Sequence, residues 1–210
     1  VTIPGIMSDA RTWAPIAQDL KIQVDGVHVA DTTKDATLED MASRVLSDTT
    51  GDLIVIAHSM GGRVAMEMGR QAPERIMALI LSSTSAGGPG ANEQKHRQTR
   101  IDEANADMSG YAKNWAPKVL SKENAQNDAL VAQVRQMVED CGAAVHERQN
   151  LTLLHRPDAT TCRPKRSTTR SLQKSPTPRR SFWPAPGTYC RSNSPRQCRK
   201  RCGTGCKKSR

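Results

Sequence analysis

The stretch "IAHSMGGRVAMEM", Ile56 to Met68, sets the end of an apolar run against the start of a helix-like pattern, with Ser59 at the junction. A nucleophilic serine must be held in the open, near backbone N–H groups that can bind developing negative charge. A strand that turns sharply into a helix supplies both, because the turn exposes the hydroxyl and the helix start offers free donors. Such a turn is tight, so the residues two before and two after the serine must be small. Here they are Ala57 and Gly61, and Gly62 is small enough for close helix packing. Ala-His-Ser-Met-Gly is the G-x-S-x-G pattern with alanine in its first place. The competing reading is a serine that merely caps the helix after it, a role serine fills well.

The flanks extend this reading in both directions. "DLIVIAH" (residues 52–58) is β-branched-rich and apolar, as a strand buried on both faces of a parallel sheet would be. In "MGGRVAMEMGRQAPERI", Val64, Ala65, Met68 and Ala72 fall at helical spacing until Pro73 closes the pattern. "RIMALILSSTSAGG" predicts a second buried strand running into a polar, glycine-rich loop. Upstream, "VTIPG" and "IQVDGVHVAD" predict two more strands, and "TLEDMASRVLSD" a helix leading back to "DLIVIAH". Strands alternating with helices give a parallel sheet with right-handed crossovers. From Gly88 to about His155, "EQKHRQTRIDEANADM", "NDALVAQVRQMVEDCG" and "AAVHERQNLTLLHR" carry apolar residues three and four apart. These predict a helical layer inserted over the sheet edge.

Charge divides the chain in two. Its 210 residues carry a net charge of +10, but residues 1–160 hold 16 Lys/Arg against 21 Asp/Glu, while residues 161–210 hold 15 basic residues and no acid. The last fifty also lack Val, Ile, Met and His, and scatter six prolines and five cysteines without period. Such a segment cannot bury enough apolar surface to offset about 1–2 kcal/mol of backbone entropy per residue, so a disordered basic tail is expected from residue 161 onward. Residues 1–160 are expected to form the folded body, with strands and the serine turn in 1–87 and a helical cap in 88–160.

The body has one thiol, Cys141, which suits a reduced setting better than a disulfide scaffold. "VTIPGIMSDA" shows no signal peptide and no apolar run approaches the roughly 20 residues of a membrane span, so a cytoplasmic address and no membrane partner are expected.

With these elements in place, the chain resembles the α/β-hydrolase fold family, in particular small bacterial esterase-like members, from about Val1 to Asp158. "IPGIMSDARTWAPIAQDL" is similar to the loop after the family's third strand, with Pro4-Gly5 where many members have His-Gly. "IAHSMGGRVAMEMGRQAPERIMALILSSTSA" is similar to its nucleophile elbow, the helix after it and the next strand. The resemblance implies a serine hydrolase acting on a small ester or related acyl compound, with no cofactor and no metal. It implies Ser59 as the nucleophile and the backbone N–H groups of Met60 and Ile6 as the oxyanion hole.

The family also uses an acid and a histidine, in the order Ser, Asp or Glu, His, from later strands. Neither those strands nor those residues are found here. His58 precedes Ser59 and is expected to point away from it; His96, His146 and His155 lie in the helical insert and are expected as solvated surface groups. The chain is therefore expected to be nearly inactive.

"NLTLLHRPDAT" resembles the helix that ends the family's insert, and the text then switches abruptly to Arg, Ser, Pro, Thr and Cys. A reading-frame change would produce that switch. The encoding DNA checks this: no frame restoring a strand, an Asp and a Gly-His segment would sink it. Two other readings attach to the tail. Its cations, with Phe182, Trp183 and Tyr189, would bind nucleic acid or other polyanions nonspecifically. Cys190, Cys198, Cys202 and Cys206 have spacing tolerated in zinc sites, but no strand or turn pattern frames them, and scattered thiols are the better reading. Substrate identity and oligomeric state are not written in the sequence.

Overall fold

The computed structural model describes residues 1–23 and 25–160. The expected disordered tail, its polyanion-binding residues and its five cysteines lie outside the described residues.

Three parallel strands form the sheet, in the order β1 (Thr2–Ile3), β2 (Leu53–His58), β3 (Ile76–Ser82). Thr2 pairs with Ile56 and Ile3 with Ala57, and β2 runs against β3 from Ile54–Ala78 to His58–Ser82. The first half of "IQVDGVHVAD" departs from expectation. Ile22 and Gln23 end the helix α1 (Ala14–Gln23), and only Val29 bridges to Thr2, flanked by Thr2 N–H to His28 O (2.8 Å) and Ala30 N–H to Thr2 O (2.9 Å). The alternation of Val27 to Ala30 suits a strand, but a two-residue β1 offers a neighbour only one turn of ladder.

Helix α2 (Leu38–Ser47) begins where Thr37 caps it, its hydroxyl accepting the Asp40 N–H at 3.0 Å. Its buried stripe of Leu38, Met41, Ala42 and Val45 packs with helix α3 (Met60–Gln71) and the inner residues of β2, Leu53, Val55 and Ala57, to make the main core. Residues three and four apart on one helix face meet the alternate residues of a strand, so the two periodicities close on each other.

The opposite faces differ from expectation. β2 is buried on one face, and Ile54 is exposed on the other; along β3, Met77 is 63% and Ile80 52% exposed. Among the described residues β3 has a strand on one side only, so it is an edge.

The helical insert comprises α4 (Glu93–Ala106), α5 (Met108–Trp115) and α6 (Asp128–Leu154). Gly142, at φ 76° and ψ 162°, interrupts α6, at the join between the two stretches read from sequence as separate helices. Asp107 ends α4 in an extended conformation and caps α5 by accepting the Gly110 N–H at 2.9 Å. A second apolar cluster, with Met7, Ala104, Tyr111, Ala112 and Val138, joins this insert to the loop after β1.

Candidate active site

Ser59 sits between β2 and α3 with φ 52° and ψ −118°, left-handed backbone that a β-substituted residue seldom adopts. Its own N–H donates to Ser82 O of β3 at 3.0 Å, fixing the turn to the sheet. Its side chain makes no capping hydrogen bond to α3. The helix-cap reading therefore fails on geometry, and the hydroxyl stands clear of the backbone below it.

The small residues around it are required by contact. A Cβ on Gly61 would lie 2.5 Å from both Ile3 O and Pro4 O, and one on Gly62 would lie 2.6 Å from the Thr84 side chain. Gly5 has the same constraint from the other side: a Cβ there would be 2.9 Å from His58 Nδ1 and 3.2 Å from Ser59 Cβ. The loop bearing Ile6 thus runs against the serine turn with no room between them.

Two further non-glycine residues have positive φ, Met7 at 52° and Ser83 at 49°. Each follows the carboxyl end of a strand, β1 and β3, that flanks β2. Open parallel sheets bind ligands outside the carboxyl ends of their strands, and left-handed residues gather at such sites when the surroundings hold them. Met7 is held by its N–H donating to Gln149 Oε1 at 2.8 Å; Gln149 in turn donates to Thr32 O at 3.2 Å. Among the described residues, neither the Ile6 nor the Met60 amide donates one of the turn, loop or cap hydrogen bonds.

Ile6, Met7, His58, Ser59 and Ser83 form the floor of a cavity of about 370 Å³. Its roof comes from the insert: Arg97 and Arg100 of α4, Tyr111 and Trp115 of α5, Val119, and His146, Asn150 and Leu153 of α6. No Asp or Glu side chain lines it.

Two histidines stand differently from expectation. His58 lies beside Gly5 with Ser59 rather than pointing away, and burial lowers its pKa. His146 is fully buried, not a solvated surface group. The reason lies in its neighbours. Arg97 donates to Asn150 Oδ1 at 2.9 Å, which turns the Asn150 amide nitrogen toward His146 Nε2 at 3.0 Å. Nε2 is then the acceptor and Nδ1 carries the proton, in a neutral tautomer. The Tyr111 hydroxyl lies 3.2 Å from the same Nε2, while Nδ1 is buried without a partner. Desolvation above all, with Arg100 and Arg97 adding to it, brings the His146 pKa down to about 4, and desolvation pushes Tyr111 up to about 12. Neither His58 nor His146 is hydrogen-bonded to a carboxylate among the described residues.

Tyr111 and Trp115 were missed in the sequence because α5 was not foreseen, the cue being Asp107, an N-cap residue inside an otherwise continuous polar pattern. The roof residues on α4 and α6 lie on foreseen helices whose position over the strand ends the sequence does not give. His96 and His155 do not line the cavity. Among the described residues no group of three His, Cys, Asp or Glu is placed to hold a metal, and no helix is long and apolar enough to cross a membrane.

No protein-family model matches the chain. Lipase LipV of Mycobacterium tuberculosis is 29% identical over 91 residues, covering 39% of this chain and 35% of that protein. Among solved structures, a thermophilic esterase from Thermogutta terrifontis superposes with a TM-score of 0.62 at 22% identity, over 76% of this chain and 64% of that one. The enol-lactonase of Burkholderia xenovorans gives 0.62 at 17% identity, over 75% and 65%, and a hydrolase from Oleispira antarctica 0.61 at 15%, over 75% and 65%. The chain thus spans just under two thirds of these structures' length and about a third of the lipase's. Over that span it has the α/β-hydrolase fold, in part.

Proposed function

We propose that residues 1–160 carry the nucleophile half of a serine ester hydrolase centre, with Ser59 as nucleophile and the Met60 and Ile6 N–H groups as the oxyanion hole. The observation that carries this reading is the left-handed Ser59, whose hydroxyl does not cap α3 and faces a cavity at the strand ends. Esterases and hydrolases among its structural neighbours, and a lipase among curated proteins, support ester chemistry. In the reaction, Ser59 Oγ attacks the ester carbonyl carbon and the carbonyl oxygen becomes an oxyanion facing the two amides. The C–O bond to the alcohol then breaks, and the alcohol departs with the proton that Ser59 gave up. Water attacks the acyl-serine, releases the carboxylic acid and restores the hydroxyl.

Proton handling is the weak link. His146 is neutral, its Nε2 already engaged by Asn150 and Tyr111, and no carboxylate orients either histidine. A site with its oxyanion donors but no working base retains only about 1000- to 10,000-fold over water. A fluorophosphonate probe on the purified 210-residue chain tests both parts. Slow labelling that disappears in Ser59→Ala is expected. Labelling unaffected by Ser59→Ala overturns the nucleophile assignment; labelling as fast as that of a complete serine hydrolase overturns the missing base.

A further inference from the structure

We infer that the cavity above Ser59 receives an ester bearing a carboxylate in its acyl or alcohol part, and that Arg100 is the residue that binds this anion. The inference rests on the ester-hydrolase reading for the ester, but not for the anion.

Three guanidinium groups lie on this side of the insert. Arg97 donates to Glu93 Oε1 at 2.8 Å and to Asn150 Oδ1, and Arg156 donates to both Glu93 oxygens at 2.6 and 2.8 Å. One carboxylate is therefore shared by two arginines, and Arg156 above all holds its pKa down at about 2. Arg100, one turn along α4 from Arg97, has no ion pair among the described residues. Its guanidinium carbon lies 5.1 Å from the centre of the Trp115 ring, which is itself stacked on Tyr111 at 5.8 Å.

Stacking uses the face of a guanidinium and leaves its N–H edges for a bidentate anion. The rest of the lining points the same way. No Asp or Glu is present among the described lining residues, and Tyr111, whose hydroxyl faces His146 Nε2, adds no negative charge. Ile6, Val119, Trp115 and Leu153 are low-dielectric walls that strengthen the field of the cations. The plainer alternative is a solvated surface arginine. Against it stands the cost of two like charges one turn apart beside a cavity, which the exposed Glu103, one turn beyond Arg100, does not relieve by pairing. The cavity's volume suits a small molecule rather than a long acyl chain.

Calorimetric titration of the full chain with monomethyl succinate and with its neutral counterpart, dimethyl succinate, tests the inference. The anion should bind about tenfold tighter than the neutral diester, the worth of one charge-assisted hydrogen-bonded contact. Arg100→Gln should lower this preference about tenfold relative to the parent and Arg100→Lys should lower it less, each with an unchanged urea midpoint. The basic residues beyond 160 are common to all these proteins, so their attraction for anions cancels when the anion preference of the parent is compared with that of a variant. Equal or absent binding of the two ligands, or an anion preference as large in Arg100→Gln as in the parent, overturns the inference. Ser59→Ala should keep the preference. Loss of the nucleophile reading by the probe experiment therefore leaves this outcome readable on its own.

Discussion

His146 shows how a polar residue can be misjudged from sequence. In α6, His146, Gln149 and Asn150 look like part of a solvated face, yet they share a stripe with Leu153 and all four are buried. Each has a partner far away in the chain: Asn150 in Arg97, Gln149 in Met7 and Thr32, and His146, through Nε2 alone, in Tyr111. Buried polar groups are tolerated when so paired, and a single sequence read one helix at a time does not reveal partners on other elements. The cue was their spacing of three, four and seven from Leu153. Burial has a consequence for acid stability. Because the folded pKa lies near 4, below the ordinary histidine value of 6.5, the unfolded chain binds the proton more readily. This contribution is complete above about pH 6.5 and is lost as the pH falls through 4, amounting to about 3 kcal/mol. Urea midpoints between pH 7 and 4 should fall more steeply in the parent than in His146→Asn. Glu93 contributes in a lower window, its stabilisation being lost as the pH falls from 4.5 through about 2.

Among the elements, β2 and α3 were the most legible, because the apolar run, the small residues and Pro73 each constrain a different part of the same turn. The bounds observed, Leu53–His58 and Met60–Gln71, fall inside those read from sequence. The burial of β2 on both faces was not borne out, since a continuous apolar run records what a strand can bury, not what covers it. α5 was missed because eight residues with Ser109 and Gly110 carry little periodicity. The two glycines at the start of α3 separate two kinds of close packing. Gly61 faces backbone carbonyls of Ile3 and Pro4, which cannot move without shifting β1; Gly62 faces the side chain of Thr84, which can rotate. Gly61→Ala should cost about 1–3 kcal/mol or more in urea unfolding. Gly62→Ala should cost less, and Gly62→Ala with Thr84→Ser less again. Equal effects at 61 and 62 would contradict this distinction.

At the scale of the molecule, the parallel sheet, the serine turn and a helical layer were all legible, whereas the exposure of β3, read as a buried strand, was not. Alternating patterns of strand and helix determine the layers. What they leave open is which helix covers which strand end, so the cavity's lining emerged only from the structure. The edge carries its own prediction. β3 presents Met77, Leu79, Ile80 and Leu81 at 39% exposure or more, and an uncovered apolar edge strand is a template for pairing between chains. The chain should self-associate as its concentration rises, and Ile80→Lys should suppress this at a cost of less than about 1 kcal/mol, since the site is exposed. Sedimentation velocity over a range of concentrations checks it; a single monomeric species throughout, for the parent chain, would contradict it.

The three left-handed residues, Met7, Ser59 and Ser83, belong to the sheet's rim, whereas the guanidinium groups, the phenol and the indole around the cavity belong to the helices above. Where the hydroxyl stands and what reaches it are thus settled by separate parts of the chain. Changes in the helical layer can retune the choice of guest while the reacting atom keeps its place, which makes that layer the natural ground for altering selectivity by substitution.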